Sequence, residues 1–399
     1  MNVVLPIGIA LVMVGTHGYG LFLFGAILPD LQRLYNFDYS FAGAASATLN
    51  TAYMVGALSL SAFGRRLPAE RWFLISVAVC IVLLALIPLV PNMYWMIATF
   101  IPLGMAAAVS WSSTVGVVNG IPGLNNRSLI LTIGAGGGSL GMLTIGLMTG
   151  YGKDLLSSHK LWYLGAAATF LGLALIYPHI SLHKKAPPSS STWGNVEESP
   201  WTAKNVQVGV LAVLLSGLLG ATAVPFTTYL SAYLTTEVGQ PESVASSVWQ
   251  VLGVTGALAG MVIGSLADRF DHRKILAVLF LGFSAAAALL AVDPTSQLVP
   301  LVGIGHGITQ NPFWGLVAAY LGCFFSASAT MRIDALGLAA FGLVGGMANW
   351  SIGFWVDSGG SLESVYAALA VGALVMVALT ALAPPSSLKK DETLNEQAV

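Results

Sequence analysis

The feature that most constrains this chain is a series of long apolar segments separated by short polar breaks. Most segments reach about 20 residues, the length an α-helix needs to cross the hydrocarbon core of a bilayer. Only 8% of the 399 residues are charged, against about 25% in soluble domains. The sequence therefore predicts an all-α membrane protein with twelve transmembrane helices, over residues 5–30, 41–63, 72–90, 93–118, 129–151, 161–180, 206–234, 244–266, 275–293, 297–324, 334–356 and 364–383.

A central polar stretch and an internal repeat divide the chain into two halves. Residues 181–205 are rich in Ser, Pro and charged residues, which is typical of a linker. The segment from Asn50 to Leu58 lines up with the segment from Gln250 to Leu258, at an offset of 200 residues. We therefore expect two pseudo-symmetric six-helix bundles, at 1–180 and 206–399, joined by the linker and followed by a short cytoplasmic tail.

The distribution of Lys and Arg predicts the orientation in the membrane. If the N-terminus is cytoplasmic, 13 of the 16 Lys and Arg residues fall on the cytoplasmic side, and only Arg33, Lys153 and Lys160 fall outside. Cytoplasmic loops carry such an excess of positive charge. We expect both termini and the linker to be cytoplasmic, in a bacterial inner membrane, and the first apolar segment to be a helix rather than a cleaved signal.

A loop motif after the eighth segment resembles a known family. The sequence from Gly264 to Lys274 reads GSLADRFDHRK, which is similar to the G-x-L-A-D-R-x-x-x-R-K signature of the major facilitator superfamily. The equivalent first-half loop has Pro68 in place of the Asp. The segments at 311–314 and 342–361 resemble the organic-anion permease branch of that superfamily.

The resemblance implies a gate at this loop. In the family the loop stabilises the outward-facing state, so Asp268, Arg269 and Arg273 are expected to act as gating residues, with Arg127 as partner. A cluster that only fixes topology is the alternative. Spaced glycines in the fifth, eighth and eleventh segments are typical of closely approaching helices. The resemblance pairs segment five with eight and segment two with eleven.

Residues that could bind a substrate are few and mostly uncharged. No Lys, Arg, Asp or Glu lies in the central part of any predicted span, and His17 and His306 are the titratable candidates for moving a proton. The resemblance places both histidines on spans that line the central cavity, and His306 was the stronger candidate. The full set of candidate substrate-binding residues is His17, Tyr19, Asn50, Tyr53, Trp111, Phe226, Tyr229, Gln250, His306, Gln310, Trp314 and Asn349. Each has a structural alternative, such as a hydrogen bond between neighbouring helices.

These observations favour a secondary transporter that works by alternating access. The sequence contains no ATP-binding loop and no H-E-x-x-H motif, so an enzyme is disfavoured, and a receptor on the same fold is a third class. We expect symport of a small organic acid with a proton. Export or uniport of a neutral or hydrophobic compound is the alternative. We expect a lipid-embedded monomer without cofactor or metal, and the net charge of −1 predicts no nucleic-acid partner.

Overall fold

The computed structural model describes residues 4–121, 127–182, 202–267 and 269–385. Its long helices are labelled α1 to α12 in chain order. They are α1 (Val4–Ala26), α2 (Tyr39–Phe63), α3 (Ala69–Leu86), α4 (Met93–Gly120), α5 (Arg127–Tyr151), α6 (Trp162–Leu182), α7 (Ala203–Ala232), α8 (Glu242–Ala267), α9 (His272–Val292), α10 (Val302–Gly322), α11 (Ala327–Asp357) and α12 (Leu362–Leu382).

The first helix is less regular than the sequence predicted. It is α-helical to Met13, becomes a π-helix over Val14–Phe22, and returns to α-helix over Leu23–Ala26. A separate helix, Leu28–Tyr35, follows a break at Ile27. Proline at the start of that helix lacks a backbone N–H and cannot continue the hydrogen-bond ladder. The predicted single span 5–30 is therefore interrupted at its end.

Within the described ranges, nine helices are long and apolar enough to cross a membrane. The remaining long helices are α2, α8 and α10. They carry Asn50, Gln250 and His306, and each packs against at least two other long helices. Polar side chains in lipid are costly unless they find partners, and these packed helices supply protein neighbours.

The same set of helix pairings occurs twice along the chain. In the first half α1 packs against α5 and α6, α2 against α4, and α3 against α4 and α6. In the second half α7 packs against α11 and α12, α8 against α10, and α9 against α10 and α12. The halves meet through α2 with α11 and α5 with α8, the two pairs that the glycine pattern and the resemblance indicated.

The eleventh helix begins earlier than predicted, at Ala327 rather than at residue 334. The side chain of Ser326 accepts a hydrogen bond from the backbone N–H of Ala329, so it caps the new start. The correction places Asp334 two turns inside the helix, where it is half-buried.

Candidate functional site

The first polar cluster surrounds His17 on the π-helical part of α1. Its ring Nε2 lies 3.3 Å from the hydroxyl of Tyr53 on α2, and its Nδ1 lies 2.9 Å from Oγ1 of Thr16. The ring meets the edge of Trp111 on α4 with centroids 6.4 Å apart. Three predicted residues from three helices therefore meet at one place. His17 as a whole residue is half-buried.

The π-helix explains how these groups meet. A π-helix accommodates an extra residue per turn and occurs often at functional sites. Gly18 in this segment contacts Gly141 of α5, and Gly138 of the same helix approaches His17, so the backbones of α1 and α5 lie close together here. The segment thus turns His17 towards α2 and α4. Sequence periodicity alone did not predict the π-helix.

The second cluster surrounds His306 inside the second half. The imidazole is 1% exposed and stacks on Phe226 of α7, with ring centroids 4.9 Å apart and planes 15° apart. Phe283 of α9 lies on another side at 5.5 Å. Neither ring nitrogen has a hydrogen-bond partner among the described residues. Thr309, one turn along, donates to the backbone oxygen of Leu279 on α9. This face of α10 thus points into its own half.

The third cluster joins the halves at α2, α7 and α11. The side-chain amide of Asn349, which is fully buried, donates to Ser46 Oγ at 2.6 Å and to Thr228 Oγ1 at 3.1 Å. Ser46 and Thr228 also bond each other at 3.1 Å. The Tyr229 hydroxyl donates to the backbone oxygen of Asn349 at 2.7 Å. Two candidate ligand residues, Tyr229 and Asn349, therefore hold helices together in this conformation.

The other predicted site residues lie outside these three clusters or contact only their own helix. Gln250 donates to the backbone oxygen of Gly146 on α5 at 3.2 Å, and Asn50 donates to Ser46 on its own helix. Tyr19 is buried where Gly165 of α6 approaches it. The remaining two, Gln310 and Trp314, lie half-buried on α10. Most of the predicted amides thus bond protein groups, as the structural alternative proposed.

One end of the molecule is closed by polar contacts between the halves. This is the end where α2 and α8 begin and where α5 and α11 end. The carboxylate of Asp357 accepts from the backbone N–H groups of Tyr39 and Ser40 at 3.1 and 2.6 Å. It thereby caps the positive end of α2 from the other half. An ion-pair cluster closes the same end, formed by Asp30, Arg33 and Lys153 of the first half and Glu242 of the second.

The predicted gating residues are only partly described. Asp268 lies outside the described residues, and so does the side chain of Arg127, although its backbone opens α5. Arg269 is exposed. Arg273 bonds the carboxylate of Asp271 and donates to the backbone oxygen of Ala383 at 2.7 Å, all within the second half. In this conformation Arg273 ties α9 to the end of α12.

Several polar residues that make contacts in the structure gave little signal in the sequence. Asp357 was noted only as part of a motif, and its contact with α2 depends on a neighbour 317 residues away. Asp334 was set at a span boundary. Ser46 and Thr228 gave no signal beyond being polar residues in apolar helices. The described residues contain no group of three or more His, Cys, Asp and Glu side chains placed to hold a metal ion.

Long apolar helices with buried polar clusters between them are typical of membrane transporters. The chain matches the family model described as Major Facilitator Superfamily over residues 10–322, and it belongs to that family. No curated protein matches the chain.

Several solved transporter structures have a similar fold. The D-xylose-proton symporter has a TM-score of 0.74 at 13% identity, covering 97% of this chain and 99% of that one. The nucleoside transporter NupG has a TM-score of 0.69 at 16% identity, covering 96% and 99%. A point variant of NupG gives 0.72 at 17% identity with the same coverage. At these identities the likeness concerns the fold.

Proposed function

We propose that the protein is a proton-coupled symporter that takes up a small organic acid by alternating access. The observation that carries the proposal is the His17 cluster, where a titratable side chain meets Tyr53 and Trp111 from two other helices. Histidine exchanges protons near neutral pH, and tyrosine and tryptophan present both apolar surface and hydrogen-bond donors. The organic-anion resemblance of the last third supports the acid.

A neutral solute is the second candidate. The groups that contact His17 are uncharged. The structural relatives named above transport a sugar and nucleosides. With a neutral solute the same cluster would orient hydroxyl or carbonyl groups. In this second candidate function, the protein would export a neutral or hydrophobic compound or move it by uniport, without proton symport.

The contacts favour His17 over His306 as the proton carrier. A carrier must exchange protons with water, and His306 is sealed between Phe226 and Phe283. His17 is half-buried and already hydrogen-bonded at both ring nitrogens. We therefore reverse the order that the sequence suggested and assign His306 to packing in the conformation described.

The two histidines can be compared directly by substitution. We expect His17→Gln to abolish the pH dependence of substrate binding and proton movement, because glutamine forms hydrogen bonds but does not titrate. His306→Gln is the matched control and should keep wild-type pH dependence. The measurement is a thermal-shift screen of purified protein against carboxylates, sugars and nucleosides at two pH values, followed by proton flux in proteoliposomes with each hit. Unchanged coupling in His17→Gln would refute the assignment.

We also propose that the transporter consists of two six-helix bundles, 1–180 and 206–399, that rock about the α2–α11 and α5–α8 contacts. The repeated helix pairings support this division, and so does the offset of 200 residues. Gly146 approaches residues 246 and 250, while Gly346 approaches 47 and 51, so the two interfaces are built alike. The closed end would face the outside. Asp268 remains a predicted gate for the opposite end.

Orientation is tested with a single reporter cysteine. We propose that both termini and the 181–205 linker are cytoplasmic in an inner membrane, because 13 of the 16 Lys and Arg residues then face inward. A cysteine at Lys185, in a chain whose Cys80 and Cys323 are replaced by alanine, should react with a membrane-impermeant maleimide only after the cells are opened. A cysteine at Lys160 is the control and should react in intact cells. Reversed labelling would contradict the topology.

A further inference from the structure

The hydrogen bonds around His17 fix which of its ring nitrogens carries the hydrogen. Thr16 Oγ1 lies 2.9 Å from the backbone oxygen of Val12 and 2.9 Å from His17 Nδ1. A threonine hydroxyl has one hydrogen to donate and lone pairs to accept with. It can therefore donate to only one of these two atoms. On the other side of the ring, Nε2 lies 3.3 Å from the Tyr53 hydroxyl.

The hydrogen bonds that link Thr16, His17 and Tyr53 can run in two directions. In only one of them does every polar hydrogen have an acceptor. If Thr16 donates to Val12, then His17 Nδ1–H donates to Thr16 and the Tyr53 O–H donates to Nε2. If Thr16 donates to Nδ1 instead, Nε2–H donates to Tyr53, whose own hydrogen then has no acceptor among the described residues. Polar hydrogens inside a protein are nearly always paired. The first direction is therefore favoured, with the neutral imidazole protonated at Nδ1.

Tyr53 is the side chain whose hydrogen bond must change when His17 binds a proton. Around His17, α4 contributes Trp111 and α5 contributes Gly138, and neither titrates. Tyr19 on the same helix packs towards α6. Among the described residues that contact His17, Tyr53 on α2 is the titratable one. Nε2 therefore carries no hydrogen and can bind a proton, and in the neutral form it accepts a hydrogen bond from the Tyr53 hydroxyl.

We propose that Thr16 is a positioning residue and that Tyr53 is a proton-operated substrate ligand. When a proton binds Nε2, the new Nε2–H donates to the Tyr53 oxygen. The Tyr53 hydrogen must then leave Nε2, and it becomes free to donate to a substrate acceptor. One proton arrives and none is lost, so the charge balances. The preferred ligand carries a hydrogen-bond acceptor, and a carboxylate would gain most from the adjacent imidazolium.

This inference rests on the proposed symport, because it states how proton and substrate binding become coupled. A ligand that needs the free Tyr53 hydrogen binds better when His17 is protonated, and by reciprocity the bound ligand favours protonation. The first direction of the hydrogen-bond chain can nevertheless be measured without any substrate. Failure of symport and failure of the relay are therefore distinguishable.

The tautomer is tested by nitrogen NMR of histidine-labelled full-length protein in lipid nanodiscs, with the His17 signal identified by its loss in His17→Gln. We expect neutral His17 to show the Nδ1–H form. Thr16→Val removes the acceptor and should shift the signal towards the Nε2–H form, whereas Thr16→Ser should retain the wild-type pattern. A wild-type protein with the Nε2–H form would overturn the proposal.

The Tyr53 switch is tested by infrared difference spectra between low and high pH, with ring-labelled tyrosine. We expect a shift of the phenol C–O band as Tyr53 stops donating to Nε2, and we expect it to vanish in both Tyr53→Phe and His17→Gln. Tyr229→Phe is the matched control, because that hydroxyl donates to a backbone oxygen, and its spectrum should keep the shift. A band that survives Tyr53→Phe would refute the switch, whatever the transport assay shows.

Discussion

Replacing Gly146 with alanine should force apart the closed end of the two halves. A Cβ atom at this position would lie 2.7 Å from the backbone nitrogen of Gln250 and 2.8 Å from the backbone oxygen of Ser246. Both neighbours are backbone atoms of α8, so a rotamer change cannot relieve the contact. Overpacking of this kind costs about 1–3 kcal/mol, and every 1.4 kcal/mol is tenfold in an equilibrium.

The expected result is a roughly 5- to 100-fold faster reaction of a buried reporter at that end. Ala245 is suitable because it is 4% exposed and lines the small cavity between the halves. Its cysteine variant, without Cys80 and Cys323, would be alkylated by an impermeant reagent from the side where α8 begins. The readout requires no knowledge of the substrate.

The same helix pair provides the control for this experiment. A Cβ at Gly136, nearer the other end of α5, would lie 3.8 Å from the backbone oxygen of Ala257, which is an ordinary contact. Gly136→Ala makes the same chemical change in the same helix and should leave the alkylation rate unchanged. Equal rates in the two variants would show that the α5–α8 contact does not control closure.

Removing the side chain of Asn349 should open the other interface about fivefold. Asn349→Ala deletes the hydrogen bonds to Ser46 and Thr228, while those two hydroxyls keep their own bond across the halves. Only the bond to Ser46 crosses the halves, because Thr228 lies on α7 in the same half as Asn349. A neutral hydrogen bond contributes about 1 kcal/mol, which corresponds to roughly a fivefold shift towards separated halves. The measurement is alkylation of Ala42→Cys, which is fully buried on α2 one turn before Ser46.

Asn50→Ala is the matched control for the second interface. It also removes an amide from this region, but that amide bonds Ser46 within α2 and not across the halves. We expect its alkylation rate to stay near that of the parent. If Asn50→Ala opens the protein as much as Asn349→Ala, loss of polarity rather than the bridging bonds would account for the effect.

The sequence predicted the helices well because apolar length is a local property. It also placed the amides inside the protein, since unpaired amides in lipid are costly. It could not predict whether a given amide faces a ligand or another helix. That depends on partners such as Ser46 and Asn349, which lie 303 residues apart. The same limit explains the reversed order of His17 and His306, because the aromatic cover of His306 comes from α7 and α9.

The π-helix of α1 was beyond such prediction for a different reason. Its residues are ordinary for a glycine-rich membrane helix, and the wider turn depends on close approach to the neighbouring helices. Asp334 was missed because charges near a span end look like loop residues. Prediction from local sequence therefore failed where contacts with other helices, or the depth of a residue in the membrane, determine the structure.

The wide turn of α1 also has an evolutionary consequence. A π-helical turn arises when one residue is inserted into an α-helix, and each α-helical residue rotates the chain by about 100°. Deleting one residue within Val14–Phe22 would let this segment return to a regular α-helix while the α-helical residues on either side keep their register, so only the side chains inside the segment would be rotated. His17 would part from Tyr53 although every ligand residue remained. Relatives that differ here by a single-residue gap would share the fold while presenting a different side chain at this place.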